Sequence, residues 1–253
     1  MISSGIRNSY IGNLARSSYK FLELERINCH PKQLNISTTK RSALTAKLIM
    51  DYREHLSKDK KLARVLIGQQ PFKLKIRKNI PLRLCASIMS QQLSVKVAEV
   101  LFRRFLEIYD GKEPSSQQIA DTSFERLRSI GLSNAKVSYV HNVAHFCMEH
   151  KIDDKKLKKM SDDDIIKLLT QIKGVGKWTV EMILMFTLGR PDIFAIDDYG
   201  IQSAMKKIYG LDDSNKNEFR EKLLKISAKW SPYRTYACLH LWNWKDNKPL
   251  NGT

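Results

Sequence analysis

Two consecutive aspartates, Asp197 and Asp198, stand between an apolar segment and a run with helical spacing. The apolar residues Ile201, Ala204 and Met205 recur at the intervals of one helix face, which predicts an α-helix that begins at the second aspartate. A carboxylate at a helix N-terminus is held ionised by the helix dipole and by backbone N–H groups. Asp198 is therefore a candidate for a fixed anion that supports developing positive charge. The alternative is that Asp198 only caps the helix.

A glycine turn precedes these aspartates, in the segment Lys173-Gly-Val-Gly176. Two glycines around one apolar residue let the backbone turn tightly and approach a ligand closely. Ser161 and the three acids after it predict the start of a helix before the turn, and the apolar run Met182–Phe186 predicts a buried helix after it. The free N–H groups at the start of the second helix form a seat for a phosphate. An ordinary tight turn is the alternative interpretation.

The charge of the chain favours a polyanionic partner. Its 253 residues include 44 Lys and Arg against 26 Asp and Glu, a formal net charge of +18. The excess is concentrated in residues 1–80, which carry 17 basic and 5 acidic residues. The phosphate expected at the glycine turn is therefore that of a nucleic-acid backbone. No apolar run approaches the roughly 18 residues that a membrane span needs, so no membrane association is expected.

Several elements can be placed from local signals. We expect Pro81 to start a helix that breaks at Ser90-Gln91-Gln92, and Ser94 to cap a following helix that carries the apolar residues Val97, Leu101, Phe105 and Tyr109. Ser133 or Asn134 is expected to cap another helix. Arg190-Pro191 is expected to end the helix that follows the glycine turn. Among the clustered C-terminal aromatic residues, Trp230 and Tyr236 are expected in the core.

A helix, a glycine hairpin, a second helix and then an aspartate resemble the helix-hairpin-helix (HhH-GPD) superfamily of base-excision DNA glycosylases. The motifs GVGKWT and DIFAIDDYGI are most similar to the 3-methyladenine DNA glycosylase II, or alkylation-repair, branch of that superfamily. The resemblance continues, in the same order along the chain, through three further motifs: IMSQQLS at 88–94, GLSNAK at 131–136 and WSPYRTYACLHLW at 230–242.

The resemblance implies a monofunctional DNA glycosylase that hydrolyses the N-glycosidic bond of flipped-out alkylated purines, such as 3-methyladenine and 7-methylguanine. Asp198 would be the catalytic residue and Asp197 structural. A cationic purine is already a good leaving group, so the carboxylate would stabilise the oxocarbenium-like sugar and orient or deprotonate water. Trp178 stands where strand-nicking members have a lysine, and Lys177 would point about 100° away around the helix. An intact abasic site is therefore expected.

The resemblance also assigns the contacts with DNA. Before cleavage the damaged nucleotide must leave the base stack. The turn after Ser90 would enter the minor groove and fill the resulting gap, with either Gln92 or Leu93 as the wedge. The residues assigned to the base pocket are Trp178, Trp242, Tyr199 and Met182, and those assigned to DNA binding are Gln92, Leu93, Lys173, Gly174, Val175, Gly176, Lys177 and Thr179. Aromatic faces attract a cationic purine. Some members have an aromatic residue where this chain has Met182, which leaves the breadth of substrates open.

No cofactor is expected. His141 and His145 have a spacing that can suit a metal, but Cys147 lies off their face, so a surface or core-edge helix is favoured. The four cysteines lack a C-x-x-C motif, which argues against a zinc ribbon or a four-cysteine iron–sulfur loop and favours reduced thiols in an intracellular protein: Cys29, Cys85, Cys147 and Cys238. The resemblance admits a monovalent cation on the hairpin carbonyls.

The expected fold is all-α, with about ten helices in two lobes around a cleft. Residues 43–253 would form this domain, with the hairpin at 162–188 and the catalytic loop at 189–200. The separate N-terminal β domain of longer family members is not expected. Residues 1–42 are interpreted as a flexible basic extension; a mitochondrial-type presequence and a translated upstream segment are the alternatives.

The expected partner is double-stranded DNA with alkylated bases, bound by a monomer, in the nucleoid of a bacterium or in the nucleus or mitochondrion of a eukaryote. Two other functions stay open. One is an HhH glycosylase for oxidised, deaminated or mismatched bases. The other is a non-catalytic HhH module that binds DNA. Asp198 discriminates against the second, because a binding module needs the glycine hairpin but no carboxylate twenty residues after Trp178.

Overall fold

The computed structural model describes residues 51–247. This part of the chain forms thirteen α-helices and no β-strand, which confirms the predicted all-α class. The helices are α1 (residues 51–57), α2 (Lys60–Leu66), α3 (Ile80–Ser90), α4 (Val95–Glu107), α5 (Ser116–Asp121), α6 (Phe124–Ser129), α7 (Asn134–Glu149), α8 (Asp154–Lys159), α9 (Asp162–Leu169), α10 (Lys177–Phe186), α11 (Tyr199–Tyr209), α12 (Lys216–Ala228) and α13 (Arg234–Asn247). None of these helices is both long and apolar enough to span a membrane.

Polar side chains at the N-caps explain where most of these helices begin. An Asp, Asn or Ser side chain accepts a hydrogen bond from the first turn in α2 to α9, in α11 and in α12. Each such bond satisfies a backbone N–H group that the helix itself leaves unpaired. Ser94, Ser133 and Ser161 are the caps that the sequence predicts, with Ser133 chosen over Asn134.

The helix count exceeds the expected ten because α5, α6 and α8 are only six residues long. Such segments are too short to show the periodicity of an amphipathic helix. Their starts are nevertheless encoded locally. Ser115 and Gln118 form a reciprocal capping box at α5, while Ser123 and Asp153 cap α6 and α8.

The described residues divide into two compact units, in agreement with the two lobes expected from the sequence. The first unit, Lys75–Gly189, contains α3 to α10. Within it α3 is buried along its whole length and packs against α4, α7 and α10, while α7 also packs against α5 and α6. Of the apolar residues expected on α4, Leu101 and Phe105 are buried, but Val97 is 46% exposed. Its neighbour Ala98 is buried instead.

The second unit comprises residues 51–74 and 190–247, with α1, α2 and α11 to α13. Trp230 is fully buried, which confirms its predicted place in the core. Its indole N–H donates to Asp59 Oδ2 at 3.1 Å, and the Tyr209 hydroxyl donates to the same oxygen at 2.6 Å. Burial by itself raises the pKa of Asp59, but these hydrogen bonds outweigh burial and bring the pKa below its usual value. Asp59 thus caps α2 and also satisfies a buried tryptophan.

A second polar cluster in this unit surrounds His240 on α13. The rings of Tyr52 and Tyr236 stack beside it with centroids 4.1 Å apart, which confirms Tyr236 as a core residue. The Tyr52 hydroxyl lies 3.3 Å from His240 Nε2, and Gln69 Oε1 lies 2.8 Å from His240 Nδ1. A neutral imidazole that carries its proton on Nδ1 satisfies both contacts. Burial lowers the pKa of His240 to about 3, with a smaller contribution from the charge of Arg53.

The predicted extension, residues 1–42, lies outside the described residues, as does Cys29. The boundary at residue 43 and the flexibility of the extension stay predictions.

The buried neutral His240 predicts a specific loss of stability in acid. A histidine in an unfolded chain titrates near pH 6.5, so between about pH 6.5 and pH 3 the unfolded chain binds a proton that the folded protein does not. The free energy of unfolding should therefore fall as the pH falls through this range, by up to about 1.4 kcal/mol per pH unit from this site. Urea denaturation followed by tryptophan fluorescence between pH 7 and pH 4.5 measures this slope.

The variant His240→Gln keeps a polar group that can bond Tyr52 and Gln69 but takes up no proton, so its slope should be shallower. His145→Gln, at an exposed histidine, is the matched control and should keep the wild-type slope. Equal slopes in wild type and His240→Gln would show that protonation of His240 is not linked to unfolding.

Candidate active site and nucleic-acid interface

Asp198 is the N-cap of α11, as the sequence predicts. Its Oδ1 accepts hydrogen bonds from the Ile201 backbone N–H and from the Trp242 indole N–H, each at 2.8 Å. The residue is 1% exposed. One oxygen of the carboxylate is therefore fixed by two donors from different helices, which sets the orientation of the whole group. Capping and a chemical role are compatible, because the cap itself fixes the anion.

Gly200 makes this arrangement possible. A Cβ atom at this position would lie 2.9 Å from Asp198 Oδ1, 3.1 Å from Trp242 Cδ1 and 3.2 Å from Trp242 Nε1. A larger residue would push the carboxylate and the indole apart. Sequence reasoning missed Gly200, although a glycine in the first turn of a predicted helix is a signal of close approach.

The loop before Asp198 is tied to the start of α13. Arg234 binds the Asp192 carboxylate through two nitrogens, with Nε–Oδ1 at 2.8 Å and Nη2–Oδ2 at 2.9 Å. The Thr235 hydroxyl donates to Arg190 O at 2.7 Å and accepts from the Ile193 N–H at 3.0 Å. Burial alone raises the pKa of Asp192, but the bonds from Arg234 and Ser231 outweigh it and leave the pKa lowered.

These side chains give the motif at 230–242 a structural meaning. Two of its residues, Arg234 and Thr235, hold the loop before Asp198, and its last residue, Trp242, holds the Asp198 carboxylate. The sequence suggested no pairing between Asp192 and Arg234, because the two residues are 42 positions apart. Asp197, by contrast, is exposed and pairs with Arg220, in keeping with the structural role expected for it.

Tyr199 and Trp242 were both expected to contact a base. Tyr199 is half-buried, and the Lys245 ammonium lies over its ring at 4.6 Å from the centroid. The tyrosine face can therefore hold a cation, which here is a lysine of the same unit. Trp242 is 3% exposed, and its indole N–H is bound to Asp198. Its observed contact orients the carboxylate; contact with a base stays a prediction.

The predicted hairpin lies in the first unit, between α9 and α10. Gly174 has φ +102°, and a Cβ atom there would lie 2.3 Å from the ring of Tyr139, so both the turn and the packing require glycine. Val175 is buried, and its N–H donates to Ile172 O at 2.9 Å. The valine side chain therefore anchors the turn and is not exposed to a ligand.

The start of α10 lacks the side-chain cap that ten other helix starts of the described residues have. Gly176 is its N-cap and supplies no side-chain hydrogen bond, whereas the caps of α2 to α9, α11 and α12 do. Lys173 and Lys177 are exposed on either side of it. A helix start with this charge and no side-chain cap suits a phosphate group. Thr179 is buried, so its side chain is not part of that surface.

The first turns of α10 carry the residues expected beside a base. Trp178 is half-buried. Met182 is fully buried, so it offers no surface to a ligand in this structure, and its assignment to the base pocket is not supported. The Lys177 ammonium lies 3.6 Å from Glu181 Oε1, a pair that holds the lysine along its own helix. The helix ends at Phe186 and not at Arg190, because Gly189 at φ +66° turns the chain away earlier.

The predicted wedge turn connects α3 and α4 in the first unit. Gln91 has φ −53° and ψ 132°, Gln92 has φ +59°, and the Leu93 N–H donates to Ser90 O at 3.2 Å. These angles define a type II turn, whose third position favours glycine or asparagine. Gln92 stands there instead, exposed at the tip, while Leu93 is half-buried. The geometry therefore favours Gln92 over Leu93 as the residue that reaches out.

Carbonyl oxygens of the hairpin already have donors. Gln91 Nε2 donates to Gly174 O at 3.4 Å, and Asn142 Nδ2 donates to Lys173 O at 3.2 Å. A carbonyl oxygen has two lone pairs, so a monovalent cation on hairpin carbonyls stays a prediction. Elsewhere in the first unit, His141 Nε2 bonds to Thr122 O at 2.8 Å. Within residues 51–247 no cluster of three or more His, Cys, Asp or Glu side chains is placed to hold a metal ion.

The structure thus brings Asp198, Tyr199 and Trp242 together in the second unit. The remaining predicted site residues lie in the first unit: Gln92, Leu93, Lys173, Gly174, Val175, Gly176, Lys177, Trp178, Thr179 and Met182.

Comparison with curated proteins shows close relatives. DNA-3-methyladenine glycosylase 1 of Schizosaccharomyces pombe is 33% identical over 198 residues, which is 78% of this chain and 78% of the relative. The YfjP protein of Bacillus subtilis is 35% identical over 161 residues, covering 61% of this chain but only 55% of that relative.

Solved structures agree with the sequence relatives. The S. pombe 3-methyladenine DNA glycosylase Mag1 in complex with abasic DNA superposes with a TM-score of 0.66 at 30% identity, covering 76% of this chain and 95% of that one. A DNA-3-methyladenine glycosidase from Bacillus halodurans gives a TM-score of 0.67 at 32% identity, covering 76% and 88%. The family model for HhH-GPD superfamily base excision DNA repair proteins matches residues 85–229. This chain belongs to the HhH-GPD superfamily of base excision DNA repair proteins.

Proposed function

We propose that this protein is a monofunctional DNA glycosylase that removes alkylated purines, of the 3-methyladenine and 7-methylguanine type, from double-stranded DNA. The observation that carries the proposal is the Asp198 carboxylate, which two N–H donors hold at the start of α11. The names of the relatives support the substrate class, since several are DNA-3-methyladenine glycosylases. We infer that the protein acts as a monomer wherever the DNA of its cell is kept.

The proposed reaction needs one carboxylate and one water. The bond between the sugar C1′ and the purine nitrogen breaks, and its electron pair neutralises the positive charge of the alkylated base. Asp198 stabilises the oxocarbenium-like sugar, and the water oxygen forms the new bond to C1′ as its proton passes to the carboxylate or to solvent. The products are a free purine and an intact abasic site. No protonation of the base is required, because the substrate already carries the charge.

DNA is held, in this proposal, by two elements of the first unit. The N–H groups at the start of α10, with Lys173 and Lys177 beside them, bind a backbone phosphate without reading sequence. Gln92, at the exposed tip of its turn, fills the gap left by the extruded nucleotide. The complex of the related Mag1 with abasic DNA supports DNA as the substrate, because an abasic site is the expected product.

Two alternatives have weaker support. The 8-oxoguanine glycosylase/lyase of Clostridium acetobutylicum shares the fold at 15% identity, which shows the architecture and no shared substrate. A module that only binds DNA would not need the glycine at position 200, where any Cβ would disturb the carboxylate and the indole. The buried Asp198–Trp242 pair therefore favours a catalytic role for Asp198 over a role in DNA binding alone.

The substitution Asp198→Asn tests the catalytic role proposed for Asp198. Asp198→Asn keeps an oxygen that can accept from Ile201 and Trp242 but removes the charge, so the fold and DNA binding should persist. Release of purines from methylated duplex DNA, followed by chromatography, should fall by at least about 10²-fold.

The matched control is Asp197→Asn, which removes the neighbouring exposed charge and should retain wild-type release. An Asp198→Asn enzyme that releases bases at nearly the wild-type rate would remove this residue from the mechanism. Wild-type protein that releases no methylated purine would contradict the proposed activity itself.

Borohydride trapping tests whether water or a lysine is the nucleophile. A lysine that forms a Schiff base with the sugar can be trapped with borohydride. Trp178 offers only an N–H donor, and Lys177 is held beside Glu181, so we expect no covalent adduct when lesion-bearing duplex is incubated with enzyme and borohydride. Gel electrophoresis should show an intact strand until alkali is added. A trapped adduct that disappears in Lys177→Ala would show instead that this lysine reaches the sugar.

A further inference from the structure

One face of α7 contacts both of the DNA-contacting elements proposed for the first unit. Lys136, Tyr139 and Asn142 follow one another at three-residue intervals along this helix. The Lys136 ammonium donates to two backbone carbonyl oxygens at the end of α3, Met89 O at 2.8 Å and Gln91 O at 2.7 Å. These carbonyls immediately precede the tip of the wedge turn.

The other two side chains of this face reach the hairpin. The ring of Tyr139 lies directly against Gly174, and Asn142 Nδ2 donates to Lys173 O at 3.2 Å. The wedge turn and the hairpin also touch each other directly, since Gln91 Nε2 donates to Gly174 O at 3.4 Å. The two elements are therefore joined to each other and to one helix.

The position of Lys136 is unfavourable for α7 itself. It lies in the first turn, where the helix dipole disfavours a cation, and Ser133 caps the same turn through the Lys136 N–H. Burial lowers the pKa of the Lys136 side chain to about 8. Lys136 is favourable for α3 instead, because a cation suits the carbonyl groups at a helix C-terminus that have no partner within the helix.

The wedge turn needs such support. Gln92 has a left-handed backbone conformation that non-glycine residues seldom adopt, and conformations of this kind persist only when the surrounding structure holds them. Lys136 binds the carbonyl oxygens of Met89 and Gln91. It therefore fixes the backbone from which the Gln92 side chain projects.

We propose that Lys136 is a positioning residue for nucleotide extrusion, which holds the wedge turn at a fixed distance from the hairpin so that Gln92 enters the DNA where the hairpin grips the backbone. This inference rests on the proposed function of the two elements. It predicts that Lys136 matters when a nucleotide must be extruded from a base pair and matters little when the nucleotide is already unpaired.

The test compares Lys136→Met, Lys136→Arg and wild type under single-turnover conditions on two substrates. One is a duplex with a paired methylated purine, and the other carries the same lesion in an unpaired bubble with duplex flanks. Lys136→Met should lose about tenfold or more on the paired lesion and less than about twofold on the bubble. Lys136→Arg, which keeps the charge and several donors, should recover most of the loss.

Lys155→Met is the control for lost charge, because Lys155 is exposed on α8 of the same unit, and it should leave the ratio of the two rates unchanged. Equal losses by Lys136→Met on both substrates would overturn the proposal and indicate a general structural role. Thermal unfolding checks that the variant folds; Lys136→Gln, which retains a donor, replaces Lys136→Met if it does not.

A double-mutant cycle with Gln92→Gly tests whether the lysine acts through the turn. Glycine adopts the observed backbone without strain and removes only the side chain. Once Gln92 is absent, Lys136→Met should have little further effect on the paired lesion, whereas full additivity would contradict the proposal.

Binding gives a readout that does not depend on catalysis. Wild type should bind a duplex with an abasic site more tightly than an intact duplex, and Lys136→Met should lose about tenfold of that preference. A Lys136→Met protein that keeps the preference would overturn the positioning role. If wild type shows the preference but releases no base, then the proposed activity fails and the positioning role survives.

Discussion

The proposed active site depends on one buried carboxylate, Asp198, whose Oδ1 accepts hydrogen bonds from two N–H groups. Asp198 Oδ1 accepts one hydrogen bond from its own helix and one from α13, both at 2.8 Å. A buried carboxylate is costly unless it is hydrogen-bonded, and its geometry is then as rigid as the groups that donate to it. The rest of the second unit can be understood as the means of bringing α11 and α13 together at this point.

Three features of the second unit hold α11 and α13 together at Asp198. Gly200 lets the indole approach the carboxylate. The Asp192–Arg234 pair and the Thr235 hydroxyl fix the preceding loop to the start of α13, so that the same helix positions both the loop and Trp242. In the first unit α7 has a comparable part, because its side chains contact both the wedge turn and the hairpin. In the second unit α13 contacts both the loop before Asp198 and Asp198 itself, and in the first unit α7 contacts both the wedge turn and the hairpin.

The starts of several helices could be predicted from the sequence, because they depend on residues that are neighbours in the chain. Ser94, Ser161 and Asp198 begin their helices as expected, because a capping side chain and the helix it starts are adjacent in the chain. Contacts between distant residues were not predictable in this way. The Asp192–Arg234 pair and the exposure of Val97 depend on which helices pack together, and the periodicity of one helix does not contain that information. The family resemblance suggested the role that we propose for Asp198 but gave no reason for the glycine at position 200.

The rate of base release by Trp242→Phe tests most directly whether catalysis depends on the Asp198 carboxylate being held by its N–H donors. Phenylalanine keeps an aromatic ring but removes the indole N–H, so Asp198 Oδ1 loses the hydrogen bond from Trp242. Trp244→Phe, two residues further along α13, is the matched control, since its side chain projects about 160° away around the helix. We expect Trp242→Phe to slow single-turnover release by about tenfold or more, with folding and DNA binding retained, while the control stays at the wild-type rate. Release by Trp242→Phe at the wild-type rate would show instead that the hydrogen bond from Trp242 to Asp198 has no part in catalysis.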